Sequence, residues 1–298
     1  MTHVWAIILG AIQGFAEFLP VSSTAHLKLV PWVFGVRDPM LSSMAFDIAL
    51  HAGSFIAIVI ALWRDWVDLV SAAFGGSPTR GADDLSDDAL RTTGFARKFI
   101  GFLLLTSIPG ALFGVLLSDK IEWLSTPDVA GQVATGIDAA TFHYAPLLLG
   151  LMLIVFGVAL WASDHFVRRA DPLVKLNWWK ALVIGVAQAA ALIPGVSRSG
   201  STMMAGRWVG LKRDAVARYS FMAALPIIGG AVVFGLKDVP VATLFSLDWV
   251  LGFLAAAVSS VLVMRWMLSY VRNHSFAIFM WYRIALGLFV IVLFFIRG

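Results

Sequence analysis

The chain has no cysteine at all among its 298 residues. That excludes disulfides, thiolate metal sites and a cysteine nucleophile together. Charge is almost as scarce. Only 13% of residues are Asp, Glu, Lys or Arg, against about 25% in soluble domains. The net charge of +4 carries no basic run, so nucleic acid is not a partner this composition supports. No basic stretch precedes the first apolar segment and no small-residue cleavage site follows it, so the N-terminus is expected to be mature protein rather than a signal peptide.

What fills the space is apolar. Hydrophobic residues make up 60% of the chain, with 26 glycines and 12 tryptophans. So few charges cannot cover so much apolar surface in water, and disordered chains are polar and charge-rich. The expectation is an all-α polytopic membrane protein forming a single membrane domain over 1–298. A spanning helix needs about 20 mainly apolar residues. Six stretches qualify: 43–63, 99–117, 145–163, 215–236, 249–268 and 276–296.

Two further apolar regions are broken. The first runs to Leu19, stops at Pro20 and the polar Ser22, Ser23 and Thr24, then resumes through Lys28 and Pro31. The second stops at Pro194 and Gly195, passes Ser197, Arg198, Ser199, Gly200, Ser201 and Thr202, and resumes. Its first arm, 181–193, reaches only about 20 Å, short of a hydrocarbon core of about 30 Å. Both regions therefore read as re-entrant helical hairpins, with tips at 17–26 and 194–202. Such backbone is tolerated at membrane depth only where protein or a watered cavity satisfies it.

The broken regions are related at an offset of 175 residues. Gly10 falls on Gly185, Gln13 on Gln188, Val21 on Val196 and Ser22 on Ser197; Phe46, Ala49 and Leu50 fall on Phe221, Ala224 and Leu225. The halves lie within 1–117 and 181–268, and broken segments in corresponding positions point to a site. Basic residues orient the chain. Arg64, Arg80, Arg91, Arg97 and Lys98, then Arg168, Arg169, Lys175 and Lys180, then Arg272, all fall on one side of six crossings. That side is the cytoplasm, both termini lie outside, and the hairpins enter from opposite faces as inverted repeats. The segment 64–98, with Asp83, Asp84, Asp87 and Asp88, reads as a solvated cytoplasmic loop.

The tips hold most of the unusual polarity. Gln13 and Glu17 stand four apart, on one helical face. A carboxylate at depth costs at least about 2.5 kcal/mol unless paired or wetted. It suits a divalent cation, with the Gln13 amide oxygen as a weaker ligand; the duller reading pairs Glu17 with Lys28. Ser22, Ser23 and Thr24 read as helix caps one by one, and beside His26 as hydroxyls with a base. Ser197, Arg198, Ser199, Gly200, Ser201 and Thr202 offer amides, hydroxyls and a guanidinium to a phosphate. A Glu tip and an Arg tip meeting near the midplane describe phosphoryl transfer better than ion conduction. Asp47 and His51 either face this site or pair with each other. Arg218, Arg265 and Arg283 are read as snorkelling to the cytoplasmic face.

Gln13 through His26 resembles the motif E/Q-x-x-x-E followed by F-L-P-[VI]-S-S-[TS]-x-H of the undecaprenyl-diphosphatase family, the bacterial bacitracin-resistance membrane phosphatases. Pro194 through Thr202 resembles its second signature, P-G-x-S-R-S-G-[SA]-T, and similarity continues at 46–54, 220–226 and 282–287. The resemblance implies removal of the terminal phosphate of undecaprenyl diphosphate at the outer face of the bacterial inner membrane, recycling the cell-wall lipid carrier. It implies a divalent cation (Mg²⁺ or Ca²⁺) held by Glu17, with Gln13 standing where many members carry glutamate. It places Ser23 and His26 at nucleophile or base positions, Arg198 on the pyrophosphate, and Ser197, Ser199, Ser201 and Thr202 in the phosphate loop. The partners are then a polyprenyl diphosphate and membrane lipids; apart from the resemblance, a second copy of the chain in a homodimer is a candidate partner. Inverted repeats with broken helices equally suit a transporter or flippase of the same lipid carrier, and a small-anion channel around Arg198 is a third reading.

Overall fold

The computed structural model describes residues 2–76, 92–125 and 145–297. The acidic residues 83–88 lie outside them. Twelve α-helices are described: α1 (Thr2–Phe18), α2 (Ser23–Phe34), α3 (Met44–Ala61), α4 (Trp63–Ala73), α5 (Thr93–Ser125), α6 (Ala145–Phe166), α7 (Trp178–Ala189), α8 (Arg198–Trp208), α9 (Arg213–Leu236), α10 (Val241–Leu244), α11 (Leu247–Asn273) and α12 (Ala277–Arg297). Among the described residues there is no strand, only an isolated bridge between Asp171 and Leu211. Six of the helices (α3, α5, α6, α9, α11 and α12) are long and apolar enough to span a bilayer, and they coincide with the six stretches read from the sequence. This is a multi-pass membrane protein.

Short polar side chains set where the helices begin. Ser43 accepts from Phe46 N at 3.2 Å, Asn177 from Lys180 N at 3.2 Å and Ser246 from Trp249 N at 3.4 Å. Each satisfies an amide that the first helical turn leaves without a partner. α2 runs through Pro31 to Phe34 and closes on Gly35 in the left-handed conformation, so Pro31 does not interrupt the arm as its sequence suggested. The segment after the first span also differs from a plain loop: 63–73 is helical, and Asp65 meets Arg218 at 2.7 Å. That ion pair is the reason Arg218 stays buried instead of reaching to the membrane face.

α1/α2 and α7/α8 are helix–turn–helix pairs whose first helices pack on spans from the other half, α1 along α11 and α7 along α5. Gly10 and Gly185 permit the close approach. A Cβ on Gly10 would meet Gly252 O at 2.4 Å, and one on Gly185 would meet Thr106 O at 2.7 Å. Residues 175 apart thus perform the same packing task. Gly150 on α6 and Gly287 on α12 likewise face each other reciprocally. The base of the second hairpin is clasped by Asp171, whose N donates to Gly210 O at 2.8 Å and whose O accepts from Lys212 N at 2.9 Å. Lys180 donates to the Asp171 carboxylate at 3.0 Å and holds that half-buried carboxyl below its ordinary value.

Candidate active site

Each hairpin brings the C-terminal end of its first helix and the N-terminal end of its second to one tip. Ser22 and Ser197 cap α2 and α8, accepting from Ala25 N at 3.4 Å and Gly200 N at 3.1 Å. Both have positive φ, 75° and 77°, and they are the two non-glycine residues that do among those described. L-residues adopt this conformation only when their surroundings impose it, commonly at functional sites. Here the buried Val21 and Val196 before them leave each serine to turn the chain at a crowded tip.

The two tips meet. Arg198 Nε and Nη2 both lie 3.3 Å from Glu17 Oε1, and Nη1 donates to Ser220 O at 3.1 Å. Ser23 Oγ donates to Glu17 Oε2 at 2.7 Å, and Gln13 Nε2 approaches the same oxygen at 3.3 Å. Ser199 Oγ donates across the junction to Leu19 O at 2.8 Å. Glu17 therefore pairs with Arg198, while Lys28 lies 4.0 Å from Asp47. A pair buried this deeply costs desolvation that the mutual attraction offsets only with good geometry and further hydrogen bonds. Ser23, Gln13 and Ser220 supply those bonds.

Beside this pair is a cavity of about 170 Å³. Its polar wall is Glu17, Ser22, Ser23, Thr24, His51, Ser197 and Arg198; its apolar wall is Ala191, Ile227, Ile228 and Ala231. The N-terminal ends of α2 and α8 border it, which favours an anion.

Several expected site residues do other work. Ser201 and Thr202 donate to Arg198 O at 3.0 and 2.9 Å, and Thr202 also bonds the Ser220 hydroxyl at 2.6 Å. With Ser199 and Gly200 they are buried in the first turns of α8 and do not line the cavity. Gly200 admits Arg283 and Ser197, which a Cβ there would meet at 3.2 Å. His26 also lies off the cavity wall. Its Nδ1–H donates to Ser22 O at 2.7 Å, so its Nε2 accepts from the Tyr282 hydroxyl at 2.6 Å, and both nitrogens are engaged. Glu17 lines the cavity and pairs with Arg198, while His26 ties the first tip to Tyr282 on α12.

Two residues beyond those singled out from the tip motifs belong here. Arg283, read as snorkelling, is fully buried. Its guanidinium donates to Pro20 O at 3.0 Å, Gly195 O at 2.8 Å, Val196 O at 3.1 Å and Leu153 O at 3.0 Å. It binds the carbonyls at both tips to α6, where helix C-terminal dipoles favour a cation. His51 does face the cavity, but its Nδ1–H donates to Asp47 O at 2.8 Å rather than to the Asp47 carboxylate. Both lie inside spans as polar residues at depth, which is the signal that points to them.

A carboxylate, hydroxyls and a guanidinium around an anion-sized space match the family signatures at the tips. A family profile described as "Bacitracin resistance protein BacA" matches residues 6–289. The chain belongs to the bacitracin resistance protein BacA family. Relatives called undecaprenyl-diphosphatase share its full length: one from Moorella thermoacetica is 38% identical over 297 residues, covering 100% of both chains. One from Desulforudis audaxviator is 39% identical over 292 residues, 98% of each chain. One from Pelotomaculum thermopropionicum is 39% identical over 293 residues, 98% of this chain and 97% of the relative. In this BacA-family chain the matched segment runs from within α1 to within α12, taking in both hairpin tips and five complete spans.

Proposed function

We propose that this protein hydrolyses undecaprenyl diphosphate to undecaprenyl phosphate and phosphate, returning the lipid carrier to use. The observation that carries the reading is Ser23 Oγ 2.7 Å from Glu17 Oε2, with Arg198 on the other carboxylate oxygen, at the wall of one cavity. A hydroxyl hydrogen-bonded to a carboxylate is a nucleophile with its base. Ser23 attacks the terminal phosphorus while Glu17 takes its proton, and the bond to the bridging oxygen breaks. Arg198, Ser22, Thr24, Ser197 and the helix N-termini hold the diphosphate and stabilise charge on the transferring group. Ala191, Ile227, Ile228 and Ala231 face the first isoprene units. His26 positions the first tip from behind.

A divalent cation fits this site in part. Among the described residues no cluster of three His, Cys, Asp or Glu forms. Gln13 Oε1, however, is buried without a hydrogen-bond partner beside Glu17. Mg²⁺ commonly takes one or two carboxylates plus substrate phosphate oxygens, so Gln13 Oε1, with Glu17 while it is ionised and before it takes the Ser23 proton, would hold Mg²⁺ or Ca²⁺ together with the diphosphate. When bound it neutralises phosphate charge.

Purified protein in detergent, given a long-chain prenyl diphosphate with Mg²⁺ or Ca²⁺, should release phosphate and stop when a chelator is added. A micelle has no two sides, so turnover there is hydrolysis and not flipping; no release would remove the proposal. We also place both termini outside and the cavity open to the outer face of the bacterial inner membrane. In the cysteine-free chain, Asp84→Cys should then resist an impermeant thiol reagent in intact cells, and ready labelling would reverse the orientation. Association as a homodimer is a separate proposal, checked by mass in detergent.

A further inference from the structure

The covalent reaction proposed above has a second half that Glu17 does not serve alone. After the first step Glu17 carries the proton taken from Ser23. When water attacks the phosphoserine and the bond from phosphorus to Ser23 Oγ breaks, that oxygen needs the proton back. The attacking water must also lose a proton at that moment, and it needs a second acceptor. Among the described residues lining the cavity, the candidates are few: Ser22, Ser23, Thr24 and Ser197 are hydroxyls, Arg198 is a cation, and Ala191, Ile227, Ile228 and Ala231 are apolar. His51 is the remaining one.

Its tautomer is set by the fold. A backbone carbonyl only accepts, so the 2.8 Å contact between His51 Nδ1 and Asp47 O places the proton on Nδ1. In the neutral ring the lone pair is then on Nε2, for which no hydrogen-bond partner occurs among the described residues. His26 offers the contrast, since its Nε2 is occupied by the Tyr282 hydroxyl and it does not line the cavity. A histidine with Nδ1–H held by a carbonyl and Nε2 open to a polar cavity is arranged as a base. The contact is to the Asp47 main chain, while its carboxylate lies 4.0 Å from Lys28.

We propose that His51 is the base of the second half-reaction, accepting through Nε2 the proton of the water that hydrolyses the phosphorylated Ser23. Water oxygen bonds to phosphorus, the bond from phosphorus to Ser23 Oγ breaks, and Glu17 returns its proton to that oxygen. The water's proton passes to His51 and from there to solvent. Inorganic phosphate leaves and the site is restored. The proposal rests on the covalent role of Ser23.

The test follows phosphate on the protein. Detergent-purified protein is given a prenyl diphosphate radiolabelled at its terminal phosphorus, quenched in acid and resolved under denaturing conditions. Wild type should carry little label. His51→Gln and His51→Asn, counted on monodisperse protein, should carry stoichiometric label, release one burst of prenyl phosphate, and then free phosphate at least about a hundredfold more slowly. Added imidazole should speed phosphate release from His51→Ala, which a folding defect would not allow. Adding Ser23→Ala to His51→Gln should abolish the label. Wild-type rates in the His51 variants, or slow variants with neither label nor imidazole rescue, would overturn the role of His51. Turnover by Ser23→Ala alone would instead overturn the covalent reaction, so the two failures are distinct.

Discussion

At the scale of single residues, the account depends on how buried polar atoms are satisfied. Glu17 and Arg198 were legible in the sequence because charge inside apolar segments is costly and rare. Arg283 had the same signal and was misread, since its place seven residues into α12 looked near enough to a membrane face to snorkel. The hairpin tips reach that level of the helix, and the sequence does not show how deep they sit. Every hydrogen bond Arg283 makes at the tips goes to a main-chain oxygen. Arg283→Met should therefore strip several buried carbonyls of their donor at about 1–3 kcal/mol each. The expected result is a clearly lowered melting temperature in detergent with activity lost. Arg283→Lys should recover part of the stability and little of the activity, because an ammonium cannot span both tips and α6 as a planar fork does. Unchanged melting in Arg283→Met would mean the tips are held by other contacts.

At the scale of elements, the six spans were plain from length and apolarity, and the two helix–turn–helix pairs from the polar breaks at the tips 17–26 and 194–202, each containing a proline. Side-chain direction was not. A helix apolar on every face does not announce which face packs inward, so nothing in 43–63 showed that His51 faces the cavity while Asp47 turns to Lys28. The hydroxyls of Ser201 and Thr202 were readable in principle. Back-bonding to the carbonyl three or four residues earlier is local, and both side chains stay off the cavity wall. The repeat makes a sharper forecast. Gly10→Ala and Gly185→Ala should destabilise by similar amounts, about 1–3 kcal/mol, since each Cβ meets partner backbone closer than atoms normally approach. Gly230→Ala, with nothing within 4 Å of its Cβ, should melt like wild type. Thermal unfolding of the three variants decides this, and a strongly unequal pair would deny that the hairpins dock by a shared rule.

For the whole molecule, the fold is a device for bringing two distant segments of chain together. Glu17 and Arg198 are 181 residues apart in sequence, and each sits at the tip of its own helix–turn–helix pair. Exchange of first arms, α1 onto α11 and α7 onto α5, leaves the tips nowhere to go but against each other. The pairing of an acidic tip with a basic one was visible as composition; their contact, with two guanidinium nitrogens on one carboxylate oxygen and Ser23 and Gln13 on the other, required the packing of both halves. The claim that follows is that the two tips act as one catalytic unit.

A double-mutant cycle on phosphate release tests that claim most directly. Glu17→Gln and Arg198→Ala should each lower kcat/KM at least about a hundredfold, as positioned charges at a transferring phosphoryl group commonly do. Because residues that act as a unit are lost together, the double variant should be little worse than the poorer single one. Losses that multiply, with the double variant slower by the product of the two, would contradict a single site and leave two tips that contribute independently.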